Sequence, residues 1–263
     1  MLKNLIFVAA LALLATASYA ATPEEKRAVA LQEAKQLVDQ YGGSSDPITL
    51  QKLDSYIERT WLVYTHYFGT ETKLARKFSL LRAKSATAAK RKTGVAESWR
   101  QAIRLLPLST TGQRRLSFYT QAANASTVVK DYKAAEQFFA AARVFTASRG
   151  KEADRSKLYL RIQELRTTGE GMEWRRLNDS LLDLRKFSEK FVSWSIPYLD
   201  ALLGEAEIRL AMQPNKGAEK REDLGALKAR IILVQKGMNG AVPPSQVDRI
   251  RTLFYALEDH FQL

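Results

Sequence analysis

Few residues in this 263-residue chain are of the types and spacing that do chemistry. Histidine occurs twice, at His66 in the run WLVYTHYF and at His260 beside Glu258 and Asp259. Neither has a second histidine four places away, and cysteine is absent, so the sequence offers no metal-ligand pattern and no thiol nucleophile. Glycine-rich phosphate loops of the dinucleotide and P-loop kinds are missing, as is a Gly-x-Ser-x-Gly elbow. One group of carboxylates remains, Glu164, Glu170 and Glu173 around the turn Gly169-Glu170-Gly171. Two carboxylates can serve as general acid and base on a glycosidic bond. With Arg161 and Arg166 close by, a solvated turn is the plainer expectation. The sequence therefore predicts no cofactor, no metal and a non-catalytic protein. A glycan-acting enzyme using Glu170 or Glu173 is the alternative.

The charge pattern points elsewhere. The formal net charge is +13, from 41 basic and 28 acidic residues. Residues 72–130 hold thirteen of the basic ones: Lys73, Arg76, Lys77, Arg82, Lys84, Lys90, Arg91, Lys92, Arg100, Arg104, Arg114, Arg115 and Lys130. Their only acid is Glu97, so the segment nets +12. Beyond it, residues 21–263 are balanced. A localised positive field draws anionic partners and speeds their encounter. Expected partners are an acidic protein, or an anionic glycan or lipid headgroup that the chain would coat. Two plainer explanations compete: cations in a last helical turn complement the helix dipole, and basic residues keep a surface soluble. Nucleic acid is disfavoured, because Phe78, Trp99, Phe118 and Tyr119 fall at core spacing and make no stacking platform.

The chain opens MLKNLIFVAALALLATASYA. Lys3, an apolar run from Leu5 to about Leu14, and small residues around Tyr19 have the form of a secretory leader cleaved before Ala21. The run is shorter than the ~20 residues a membrane span requires. A periplasmic or secreted protein is expected, and the lack of cysteine fits the bacterial periplasm. The glycosylation triplets at Asn124 and Asn178 fall in expected helices and are discounted.

The remainder reads as helix after helix. Thr22-Pro23-Glu24-Glu25 has a cap, a first-position proline and a capping-box glutamate. Asp46-Pro47 opens a second helix whose apolar face takes in Leu53, Ile57, Trp61, Tyr64 and Phe68. Further helices are expected at about 71–88, 94–106, 111–128, 131–148, 152–167, 172–191, 197–212, 221–236 and 245–261, the last with a cap-like Ser245. Pro107, Gly112, Gly150, Pro197, Pro214 and Pro243-Pro244 are read as separators. No segment alternates as a strand would. About eleven helices with short connections suggest one array over 21–263.

Within VAESWRQAIRLLP, Val95, Trp99 and Ala102 fall on one helical face, and Pro107 ends the run. Small residues there admit a neighbouring helix, and the aromatic fills the space between. Ala135, Phe139 and Ala142 repeat the spacing, after Tyr119 and Ala123 on the preceding helix. In these two places the sequence resembles the tetratricopeptide repeat family. The resemblance implies an all-α right-handed solenoid of antiparallel helix pairs and a docking role, such as a scaffold or assembly factor. It covers about a fifth of the chain. Its copies lie 40 residues apart where the family period is about 34, and Ala147 stands where a second proline is expected.

Overall fold

A computed structural model describes residues 22–146, 151–216 and 221–261. The leader reading of residues 1–20 and the Ala147 position lie outside them. The described residues form eleven α-helices and no strand. They are α1 (Pro23–Tyr41), α2 (Pro47–Phe68), α3 (Lys73–Ala88), α4 (Val95–Arg104), α5 (Gly112–Val128) and α6 (Tyr132–Arg143), then α7 (Lys151–Thr168), α8 (Trp174–Ser188), α9 (Ile196–Lys216), α10 (Arg221–Gly237) and α11 (Pro244–Phe261). A short 3₁₀ turn, Gly169–Gly171, follows α7. The chain divides into two compact units, 1–109 and 110–263.

Helix starts follow the local chemistry. Thr22 Oγ1 accepts from the Glu25 N–H at 3.2 Å, and Glu25 Oε2 accepts from the Thr22 N–H at 2.7 Å, which completes a capping box. Asp46 accepts from the N–H groups of Ile48 and Thr49, Thr72 from Ala75, Thr111 from Arg114 and Asp131 from Ala134. Three expectations need correction. Helix α6 ends at Arg143 rather than near 148, because Val144 and Phe145 bond back three residues and tighten the last turn. Pro214 is no separator, since α9 runs to Lys216. Ser245 is not the cap of α11: Pro244 is already helical, and the N–H groups of Gln246 and Val247 reach the carbonyl of Pro243.

In the first unit α1 packs on α2 and α3, α2 on α3, and α3 on α4. In the second, each helix from α5 packs on its successor, and α5, α7, α9 and α11 each pack on the next of that series. Every even-numbered helix buries a triad at four-then-three spacing: Ile57-Trp61-Tyr64, Val95-Trp99-Ala102, Ala135-Phe139-Ala142, Leu177-Leu181-Leu184 and Leu227-Ile231-Val234. That spacing is what one face of a 3.6-residue helix demands. Asn124 and Asn178 both sit within helices.

Candidate functional site

The thirteen cations of residues 72–130 fall into distinct groups once their surroundings are seen. Arg82 is committed to the fold. Its Nε and Nη2 donate to the two carboxylate oxygens of Glu58 at 2.7 Å, and Nη1 donates to Gln101 Oε1 at 2.6 Å. Arg91 bridges Asp54 and Glu58, each at 3.0 Å. The buried Asp54 also accepts the Ser85 hydroxyl at 2.9 Å. Burial works to raise the pKa of Glu58, but the hydrogen bond and charge of Arg82, with Arg91 behind them, leave it lowered. Lys84 Nζ lies 3.4 Å from the carbonyls of Gly42 and Ser44 and ties the α1–α2 connection to α3. The acids involved come from α2, outside the basic segment, so counting within the segment missed them.

A second group is exposed. In the first unit it comprises Lys73, Arg76, Lys77, Lys90, Lys92 and Arg104. None of the six has an ion-pair partner among the described residues. Arg100 is exposed too, but it reaches Glu97 at 3.5 Å, one turn away. The second unit holds Arg114, which is exposed, the half-buried Arg115, whose Nε reaches the Thr110 carbonyl at 3.3 Å, and Lys130, 3.5 Å from Glu170. The basic segment is therefore cut between two compact units.

Helix polarity separates the exposed cations further. Lys90 and Lys92 follow the C-terminal end of α3, and Arg104 lies in the last turn of α4, where the helix dipole favours positive charge. Arg76 and Lys77 lie in the second turn of α3 and Lys73 in the first, just after the Thr72 cap, where no acid is present. A cation in that first turn works against the dipole. Helix stability accounts for the first set and not for the second.

Three cavities have polar linings. One of about 580 Å³ lies in the first unit among Thr70, Glu71, Arg76, Arg104 and the stretch Leu105–Ser109. The second unit has one of about 470 Å³, whose lining includes Arg143, Lys157, Arg161 and Phe187. Another of about 270 Å³ has Asn178, Arg185, Arg209, Asp223 and Arg230 in its wall. The buried Glu164 pairs with Arg143, whose side chain is exposed. Glu205, 1% exposed, receives Arg185 through Nε at 2.9 Å and Nη2 at 2.5 Å, and Arg209 Nε at 3.0 Å. Asp200 and Glu207 receive Arg249 in the same way, and Tyr159 donates to Asp200 at 2.7 Å.

The carboxylates of the Gly-Glu-Gly turn are held apart in their roles. Glu164 belongs to the Arg143 pair. Glu170 is hydrogen bonded to Tyr132 and faces Lys130. The Tyr132 ring lies so close over Gly171 that a β-carbon there would overlap it. Burial and the Glu170 carboxylate push the Tyr132 phenol up to about 12. Glu173 is exposed at the start of α8 and makes no capping bond. Neither Glu170 nor Glu173 lines any of the three cavities. His66 is exposed in the last turn of α2, with its ring edge-on to Tyr67. No group of three or more metal-ligating side chains occurs among the described residues.

The residues read as repeat packing differ in burial. Val95, Ala135, Phe139 and Ala142 are wholly buried, with Trp99 and Ala102 nearly so. Trp99 Nε1 donates to Thr87 Oγ1 at 3.0 Å and joins α4 to α3. Tyr119 is half-buried and stacks on Phe145 at 5.5 Å, and Pro107 is exposed after α4. The 40-residue offset extends further than these triads. Phe78 and Phe118, and Ala83 and Ala123, are buried at matching positions of α3 and α5. Lys90 and Lys130 both take left-handed backbone conformations, with φ of 52° and 60°. Each closes its helix by the same pair of bonds, with the residue after it bonding five back and the lysine itself three back. Glu71, Leu106 and Leu108 went unnoticed in the sequence, although Glu71 directly precedes a capping threonine. Comparison with known proteins gives no match, whether to a family model, a curated sequence or a solved structure.

Proposed function

We propose that this chain is a non-catalytic helical-repeat docking protein that binds an acidic protein partner through the exposed cations of its first unit. The reading includes removal of residues 1–20 as a secretory leader and action in the periplasm or outside the cell. One observation carries it. Six exposed cations lack partners within the described residues, and one of them, Lys73, sits where the helix dipole opposes it. Internal ion pairing and helix stability leave Lys73, Arg76 and Lys77 unexplained, whereas an anionic partner would stabilise them.

Helix pairing supports the docking role. Successive helices pack on each other, the odd-numbered helices of the second unit pack in series, and the even-numbered ones repeat a buried triad. The α3–α4 and α5–α6 pairs share threonine caps, at Thr72 and Thr111, and left-handed lysine turns at a 40-residue offset. We read each unit as a short right-handed solenoid of antiparallel pairs, like the tetratricopeptide repeat in design. Such arrays present extended side-chain surfaces and bind more often than they catalyse.

The test is cross-linked capture of partners by residues 21–263 from the native envelope, at low and moderate salt. Wild type is compared with a Lys73/Arg76/Lys77→Glu variant and a Lys90/Lys92→Glu variant. The expected result is one or a few acidic proteins, lost at moderate salt and with one or both variants. Recovery of the same proteins by both variants overturns the reading, and recovery of glycan or lipid alone replaces it with a coat role.

A further inference from the structure

The cavity of the first unit combines features that the charge pattern alone would not bring together. Arg76 comes from the second turn of α3 and Arg104 from the last turn of α4. The chain leaving α4 supplies Leu105–Ser109, and Thr70 and Glu71 from the α2–α3 connection complete the wall. Leu105 is buried in the core, Leu106 is half-buried and Leu108 is 99% exposed. A single exposed leucine is ordinary. Here it stands beside a volume of about 580 Å³ shared with two arginines that pair with no acid among the described residues. The one acid in the wall is Glu71. The charged lining is thus two cations against one anion, with Lys73 and Lys77 on the same helix adding to the field.

We propose that this cavity receives an acidic segment of the partner protein, with a carboxylate between Arg76 and Arg104 and an adjacent apolar side chain over Leu106 and Leu108. The inference rests on the docking role proposed above and names the chemistry of what docks. Charge complementarity selects the occupant. Arginine presents a planar fork suited to a carboxylate, and two forks converging on one volume favour a group with several acceptor oxygens. The apolar wall argues against a free inorganic anion, which would leave Leu106 and Leu108 uncovered. It also argues against polyglutamate, whose neighbouring charges would lose water against leucine. A segment that alternates acid and apolar residues matches both halves of the lining. Glu71 sets the selectivity, because it repels a second carboxylate at one part of the wall.

The experiment is fluorescence anisotropy of residues 21–263 with a short labelled peptide of repeating Glu-Leu units, beside the same peptide with every Leu replaced by Ser. Circular dichroism confirms that each variant keeps its helix content. We expect Arg76→Glu and Arg104→Glu each to weaken the leucine peptide about tenfold, the scale of one charge-assisted hydrogen bond. Leu108→Ser and the serine peptide weaken it less, and Glu71→Gln tightens it. Binding that survives both arginine reversals but is lost in Lys90/Lys92→Glu overturns this site and leaves the docking role standing. Equal binding of the leucine and serine peptides removes the apolar half of the proposal. No binding of either peptide to wild type at low salt overturns the site, and failure of the capture experiment as well would overturn the docking role with it.

Discussion

The two units use positive charge in opposite ways. In the second, carboxylates of α9 are matched chiefly from neighbouring helices: Glu205 by Arg185 of α8 as well as by Arg209 of its own helix, and Asp200 and Glu207 by Arg249 of α11. These pairs tie α8 and α11 to α9, and the Tyr159 hydrogen bond to Asp200 adds α7. In the first unit Arg82 and Arg91 meet acids of α2 and Lys84 meets loop carbonyls, while six exposed cations have no ion-pair partner among the described residues. Both regions look equally basic when residues are counted. What separates them is whether an acid comes from the neighbouring helix, which is a property of the fold and not of the window.

That contrast can be broken most forcefully at Glu205. Glu205→Ala removes the carboxylate that the buried Arg209 and the half-buried Arg185 share, and loss of one partner from a buried pair costs about 3–5 kcal/mol. Denaturant unfolding should show it, and a loss below 1 kcal/mol would mean that water reaches the pair freely. Asp54→Ala is the counterpart in the first unit. It removes one of two carboxylates from Arg91 and an acceptor from Ser85, so a smaller loss of about 1–3 kcal/mol is expected.

The alkaline limb gives a third probe. Tyr56 is pushed up to about 12 by burial and by Glu33, and Tyr159 to about 12 by burial and its hydrogen bond to Asp200. A phenol whose folded value is raised binds its proton longer folded than unfolded. Its contribution is complete below about pH 10 and is lost as pH rises towards 12. Tyr159→Phe should flatten the fall in stability over that window, as measured by denaturant midpoints at stepped pH. An unchanged slope would detach Asp200 from it. On the acid side Glu58, held low by Arg82, adds stability above about pH 4.5 that is lost as pH falls further. The smallest effect discriminates best. Lys73→Glu should stabilise the protein by about 0.3–1 kcal/mol, since an acid replaces a cation at a helix start. A loss instead would show that Lys73 serves the fold.

Much of the fold was legible because its signals are local. Thr22 with Glu25, and Asp46 with Pro47, announce their helices within four residues, and the bonds form as the types require. The triad spacing was plain where an aromatic stood between small residues, at Trp99 and Phe139. It was harder to read as a repeat at Leu177-Leu181-Leu184, where size gives no contrast. Proline misled at Pro214, because a separator and a last-turn residue look alike without knowledge of where the neighbouring helix ends. The candidate site was half legible. The cations were all counted, but their division depends on Asp54 and Glu58, more than twenty residues upstream of their arginines. The adverse placement of Lys73 was readable once a helix was expected from about residue 71, since helix polarity follows chain direction.

The four tryptophans divide as the charges do. Trp61 and Trp99, 2% and 3% exposed, belong to the first unit, while Trp174 is half-buried and Trp194 is 51% exposed in the second. Intrinsic fluorescence therefore carries two populations, a blue-emitting pair that reports the integrity of residues 22–109 and a redder pair that already senses water. Loss of the first unit would appear as a large red shift, and loss of the second as a small one. Spectroscopy alone can thus tell which half of the chain yields first, without a label or a truncation.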